Sequence, residues 1–245
     1  MSKPFLLIQL RPEDITANNE MLKIKHYGGI ADTELIRIRV EQNGLPAIAV
    51  NDFSGIIVGG SPFDVSTPES DKSAIQKKIE VGFSRLFDQL LERDFPFLGC
   101  CSGNGLLGNY LGTSVSRKYG EPVGGTDITL TAAGTDDPLL AGLPTTLRVL
   151  TGHKEACDNL PPGAVLLATN SSCPVQMFRV QSNIYATQFH PEGDAEGFTV
   201  RINTYRDHGY FPPASASQLI DTVSIEHTPD AHAILGNFVT RFRQP

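Results

Sequence analysis

Apolar positions in the first half of the chain fall into short strand-length runs separated by stretches with helical spacing. Residues 5–10 form an apolar run broken only by Gln9, 35–40 alternate Ile36, Ile38 and Val40 with Arg37 and Arg39, and 54–58 read as a buried strand ending in Gly59-Gly60-Ser61-Pro62. Between them, 12–27 space Ile15, Met21, Leu22 and Ile24 at helical intervals. Residues 68–93 place Ile75, Ile79, Phe83, Leu86, Phe87 and Leu90 on one helical face, with Pro68 and Glu69 as its start. The run Phe95-Pro-Phe-Leu-Gly-Cys100 is a further strand, and a helix is predicted over 103–111. Strands alternating with helices predict a parallel sheet covered on both faces.

Past residue 112 the pattern changes. Short strand-like pieces at 113–118, 126–131, 147–151, 165–169, 175–180 and 184–187 are separated by turn residues, Gly124-Gly125 and Pro161-Pro162-Gly163 among them. They predict an antiparallel extension of the sheet. Residues 198–208 read as helix and 210–216 as a Pro- and Ala-containing loop. Residues 229–242 form a closing amphipathic helix through Ala233, Ile234, Phe238, Val239 and Phe242. With no linker or repeat between these segments, the expectation is an α/β fold of one domain over 1–245: a central, mostly parallel sheet, flanking helices and an antiparallel edge.

Composition narrows the function classes. In 245 residues, 40% hydrophobic and 19% charged content permits a sizeable core. A net charge of -7 with no basic run argues against nucleic acid or an anionic membrane as the main partner. The apolar run at 5–8 is too short for a signal-peptide core or a membrane span, so a cytoplasmic protein is expected. Four cysteines (Cys100, Cys101, Cys157, Cys173), two adjacent and none in a CxxC pair, suit reduced thiols rather than disulfides or zinc. No paired-histidine metal motif, phosphate loop or dinucleotide fingerprint is present, so no metal or cofactor is expected.

One of the cysteines stands where chemistry is done. Gly99-Cys-Cys101-Ser-Gly103 puts Cys101 at a sharp turn between strand and helix, with glycine two residues to either side. This is the pattern of a nucleophile elbow, where neighbouring side chains must stay clear. The helix N-terminus favours the thiolate, and the Ser102 N–H is placed to receive an oxyanion. Alone, the stretch fits a buried free cysteine equally well. A nucleophilic cysteine needs a base, itself oriented by a third group. His190, in Gln188-Phe-His-Pro-Glu192, follows a strand, and Glu192 is placed to hold its second ring nitrogen.

These motifs, together with Gly59-Gly60, resemble the class I glutamine amidotransferase family over most of the chain. The resemblance is closest to stand-alone members related to the amidotransferase domain of GMP synthase and to γ-glutamyl peptidases. It implies that Cys101 attacks the γ-carboxamide of glutamine, His190 is the base and Glu192 orients it. An oxyanion N–H falls at Gly59 or Gly60, beside that of Ser102. Ammonia would pass to a separate synthetase, since the chain holds no acceptor domain. Cys100 reads as strand core. His153, in Thr151-Gly-His-Lys-Glu155, reads as a structural or substrate-side residue, and Ser61, Phe63 and Asp64 as either a lid or a surface turn. Asp136-Asp137-Pro138 reads as a solvated helix start. The sequence departs from the family at Gly105, where many members carry a substrate-binding Gln. A wider pocket accepting γ-glutamyl conjugates is the alternative function; a non-catalytic binding or redox-sensing relative is a third.

Overall fold

The computed structural model describes residues 3–244. Its main sheet begins with strands β1 (Phe5–Gln9), β2 (Leu35–Arg39), β3 (Gly55–Val58) and β4 (Phe97–Cys100). Between them lie helices α1 (Asp14–Gly28), α2 (Val40–Asn43) and α3 (Ala74–Arg93), and α4 (Ser102–Tyr110) follows β4. The second half adds β5 (Val115–Ser116), β6 (Glu121–Leu130), α5 (Ala132–Thr135), β7 (Thr146–His153), β8 (Ala156–Cys157), β9 (Ala164–Thr169), β10 (Met177–Val180) and β11 (Ile184–Thr187). Helices α6 (Ala195–Thr204), α7 (Ala216–Ser224) and α8 (Pro229–Phe242) complete the chain.

Nine strands form one sheet in the order β2-β1-β3-β4-β11-β10-β9-β6-β7, and β5 pairs with β8 in a separate two-stranded sheet. β2, β1, β3, β4 and β11 are mutually parallel, while β10, β9, β6 and β7 continue antiparallel. The α/β class with its antiparallel extension is thus as the sequence predicts.

Strand alternation divides the core between the two faces. Leu6, Ile8, Ile56, Val58 and Phe97 pack with Phe83, Phe87 and Leu90 of α3 and Leu107 of α4. Phe5, Leu7, Ile57, Leu98 and Cys100 pack on the other face with Ile24 of α1 and Ile234, Phe238 and Val239 of α8. The strands near the sheet centre carry apolar residues on both faces because both are covered.

Four details depart from the sequence reading. α3 begins at Ala74, not Pro68: Ser73 caps it, its hydroxyl accepting the Gln76 N–H at 3.2 Å, after a turn over the preceding residues. Gly124-Gly125 is not a turn but lies within the ten-residue β6, at a shift in the pairing with β7. A Cβ on Gly125 would stand 2.2 Å from the Glu226 carboxylate, so a larger residue there would have to displace that side chain. Asp137 is buried rather than solvated, holding Arg179 Nε at 2.8 Å and the Leu139 N–H at 2.9 Å. Helix α7 was hidden by the Pro-, Ala- and Ser-rich segment leading into it. Its Leu219, Ile220 and Val223 meet Phe198 and Ile202 of α6 and Leu150 of β7 in a third, small core.

Candidate active site

Parallel pairing of β1, β3, β4 and β11 brings their carboxyl ends to one edge. The residues just beyond those ends are Arg11, Gly59-Gly60, Cys101 and His190, so chain segments far apart in sequence converge there.

Cys101 follows β4 and caps α4 with φ 54° and ψ -93°, a positive-φ conformation costly for a residue with a Cβ. The surrounding hydrogen bonds hold it. Its N–H donates to the Thr187 carbonyl at 2.8 Å, and its carbonyl accepts from Asn104 and Gly105 at 3.0 and 3.2 Å. Gly99 is required by contact: a Cβ there would lie 2.8 Å from the Gly103 backbone and from the Phe97 ring. The N–H groups of Ser102 and Gly103, at the start of α4, have no acceptor among the described residues. Burial pushes the Cys101 thiol up to about 12; the Arg11 and Arg201 cations oppose the shift and Glu192 adds to it. Desolvation thus favours the neutral thiol.

His190 is buried, and its Nδ1 lies 2.8 Å from Glu192 Oε1. Glu192 can only accept in its ionised form, so Nδ1 carries the proton and Nε2 is left as the basic nitrogen. Burial lowers the His190 pKa, partly offset by Glu192, which keeps the ring neutral. Burial works against ionisation of Glu192, but His190 and Arg201 overcome it and hold the carboxyl well below its usual range. Arg201 Nη2 donates to the same Oε1 at 2.8 Å.

The glycine pair is tightly enclosed. A Cβ on Gly59 would lie 2.3 Å from the Glu20 carboxylate, and one on Gly60 would lie 2.5 Å from Arg11 Nη2 and 2.9 Å from His190 Cε1. Both amides are engaged: Gly59 donates to the Ile8 carbonyl and Gly60 to Glu20 Oε1, each at 3.2 Å. The next amide, of Ser61, has no acceptor among the described residues.

Two cavities flank Cys101. One touches Arg11, Cys101, His190, Arg201, Tyr205 and Tyr210. The other is bounded by Cys101, Ser102, Gly105, His153, Glu155 and Gln188. Phe63 and Asp64 also line the second, and Ser61 lines both, so this turn borders the site rather than facing only solvent. A Cβ on Gly105 would meet Val65 at 3.6 Å and Glu155 Oε1 at 3.9 Å, so Glu155 stands beside the space a longer side chain would take. Glu155 itself accepts the N–H groups of Val65 and Ser66 at 2.6 and 2.9 Å.

His153 is engaged through both ring nitrogens, with the Glu155 carbonyl at 3.0 Å and Glu121 Oε2 at 2.9 Å. Glu121, His153 and Cys173 are close enough to hold an ion, but both Glu121 oxygens already accept hydrogen bonds, including those from Asn170, Ser172 and Gln176. The cluster is a hydrogen-bonded strut under the β6–β7 end of the site.

Sequence reasoning missed Arg11, Glu20, Arg201, Tyr205 and Tyr210. Arg11 carried a usable signal, a charge directly after an apolar parallel strand. Glu20 and Arg201 carried none, since charges within helices are ordinary surface residues until packing buries them.

The glutamine amidotransferase class-I family model matches residues 21–203. The glutamine-hydrolyzing GMP synthase of Caldicellulosiruptor saccharolyticus is 30% identical over 187 residues, 71% of this chain and 33% of that protein. A glutamine-hydrolyzing GMP synthase subunit from Thermococcus kodakarensis is 36% identical over 110 residues, 44% of this chain and 57% of that one. The chain thus spans a third to somewhat over half of these relatives' length. A glutamine amidotransferase structure from Thermotoga maritima superimposes with a TM-score of 0.77 at 22% identity, covering 98% of both chains, and so shares the fold. On the match over three quarters of its length, with Cys101 and His190 at the shared sheet edge, this chain belongs to the class I glutamine amidotransferase family.

Proposed function

We propose that the protein hydrolyses the side-chain amide of glutamine through a γ-glutamyl thioester on Cys101, with His190 as acid and base and Glu192 as its orienting partner. The observation that carries the reading is the 2.8 Å contact between His190 Nδ1 and Glu192, which leaves Nε2 as the basic nitrogen of a histidine that lines the same cavity as Cys101.

The resting thiol is neutral, so activation is coupled to attack: His190 takes the thiol proton as sulfur adds to the amide carbon. The tetrahedral oxyanion is received by the Ser102 amide, together with an amide of the Gly59–Gly60–Ser61 turn. In the resting form Glu20 occupies the Gly60 amide and Ser61 offers an unengaged one. His190 then gives its proton to the departing nitrogen, and activates the water that releases glutamate. The α-amino and α-carboxylate groups of the substrate fit the cavity bounded by Gly105, Glu155 and Gln188. Relatives named as one subunit of GMP synthase support an ammonia acceptor on a separate chain.

Ammonia release from glutamine, with Cys101→Ala as control, tests the reading. A Cys101-dependent rate is expected. Turnover that survives Cys101→Ala would remove it.

A further inference from the structure

Ser61 is where the start of α4 and the segment between α6 and α7 meet the glycine turn. Its carbonyl accepts the Tyr210 hydroxyl at 3.2 Å, and the Ser102 hydroxyl stands 3.5 Å from the same oxygen. Its side-chain oxygen accepts the Phe63 N–H at 2.9 Å. Ser61 is buried, and Pro62 after it favours extended backbone at this position. Both oxygens of the residue are thus engaged, while its N–H has no acceptor among the described residues.

Tyr210 reaches this contact by an excursion through solvent. Residues 206–209 are exposed after α6, Gly209 turns the backbone at φ 77°, and Tyr210 dips back to line both cavities beside Cys101. A Cβ on Gly209 would meet nothing within 4 Å, so conformation rather than space calls for glycine there. The phenol ring is held from two sides. Lys154 Nζ lies 4.8 Å from its centroid and is anchored on Asp64 at 3.0 Å, and the Tyr205 ring lies at 6.0 Å. A hydroxyl fixed in this way is an accurate anchor, and it is spent on one backbone carbonyl of the turn.

That anchor bears on the amide beside it. A backbone donor aids catalysis to the extent that it is aimed before charge develops. The Gly59 and Gly60 amides are held by Ile8 and Glu20, which leaves Ser61 as the unengaged donor of the turn. Fixing the Ser61 carbonyl restricts rotation of the residue, and with it the direction of its N–H.

Building on the hydrolase reading above, we propose that Tyr210 is a positioning residue for the oxyanion, acting through Ser61 to hold that amide on the tetrahedral oxygen beside the Ser102 amide. As the Cys101 sulfur bonds to the amide carbon, the carbonyl π pair moves onto oxygen, where the two amides receive it. The pair returns as the carbon–nitrogen bond breaks and the thiol proton, carried by His190, passes to the leaving nitrogen. Tyr210 touches Ser61 and not the reacting atoms, so its loss misaims a donor rather than deleting one. The expected effect is about tenfold, the worth of one neutral hydrogen bond, not the hundredfold or more of a missing oxyanion donor.

The test uses the full chain with Tyr210→Phe, which removes only the hydroxyl. Glutamine turnover is expressed per Cys101 labelled to completion by a diazoketone analogue of glutamine, so unfolded protein is not counted. Two inhibitors separate positioning from packing: glutamate γ-semialdehyde, which adds Cys101 to form a tetrahedral oxygen, and glutamate, which forms none. The expected result is a kcat lowered about tenfold with KM within twofold, semialdehyde inhibition weakened about tenfold and glutamate inhibition within twofold. Gly209→Ala, strained at positive φ but free of contacts, shifts Tyr210 without altering it; it carries the same test on its own and should repeat the pattern in smaller measure. An unchanged kcat, a fall in kcat without selective loss of semialdehyde binding, or both inhibitors weakening together overturns the role of Tyr210 and leaves the hydrolase reading intact. A wild type that neither labels at Cys101 nor releases ammonia from glutamine overturns both.

Discussion

The amide of Gly60 donates to the buried carboxylate of Glu20 at 3.2 Å, and the same Oε1 takes Arg11 Nε at 2.7 Å. One helix carboxylate thus ties the glycine turn to the guanidinium beside Cys101. Glu20→Gln keeps the shape but strands the Arg11 charge, and a buried charge that loses its partner costs about 3–5 kcal/mol. We expect a loss of that size in urea titration. Gly60→Ala tests the turn itself: its Cβ would overlap Arg11 Nη2 and His190 Cε1, so kcat should fall about a hundredfold or more in a chain that still folds.

Glu192 holds His190 in the tautomer that leaves Nε2 basic. Glu192→Gln can accept through its oxygen but no longer stabilises the imidazolium formed during attack, and it leaves Arg201 without its anion. The expected outcome is a kcat reduced about 10²- to 10⁴-fold with KM changed little, read by steady-state ammonia release.

The pH dependence has a definite sign. Burial lowers the His190 pKa, so the ring stays basic as pH falls through the usual histidine value, and the acid limb of kcat/KM should lie below about 6.5. Burial raises Cys101 to about 12, so in the free enzyme iodoacetamide should label it more slowly at pH 7.5 than a free cysteine, with the rate still climbing above pH 9. Fast labelling at neutral pH would contradict a resting thiol.

Burial works against the ionised form of Glu121, yet hydrogen bonds from His153, Ser172 and Asn170 hold its pKa at about 2. A depressed carboxyl stabilises the fold above its unfolded value near 4.5 and loses that contribution as pH falls toward 2. The shift corresponds to about 3 kcal/mol. Urea midpoints measured between pH 6 and pH 3 should fall more steeply for the wild type than for Glu121→Gln, which starts less stable.

Gly105 tests the departure from the family pattern. An added Cβ meets only ordinary contacts inside α4, so Gly105→Ala should stabilise the fold by about 0.5–1 kcal/mol, as expected for alanine over glycine in a helix. Thermal melting checks this, and kcat/KM for glutamine should change less than threefold.

Local patterning sufficed for much of the architecture. The runs around Leu7, Ile57 and Leu98 read as central strands because both sheet faces are buried, and Phe83, Phe87 and Leu90 as one helical stripe because burial is one-sided. Cys101 was legible because the turn that exposes it demands glycine at 99 and room at 103, constraints that sit within five residues. His190 and Glu192 are two residues apart, so their pairing was written locally as well.

Other features had no local signature. α7 is amphipathic only against Phe198 and Leu150, and its Ala- and Ser-rich start resembles a loop until that surface exists. The engagement of the Gly60 amide by Glu20, the second guanidinium at Arg201 and the division of space into two cavities join residues from β1, α1, β3 and α6. The sequence by itself determined the order of the chemistry along the chain, cysteine turn first and histidine after the last strand, because backbone strain and hydrophobic period act over neighbouring residues. Only the tertiary structure decided how those residues are charged and what surrounds them, because desolvation and long-range ion pairing depend on which distant side chains the sheet edge brings together.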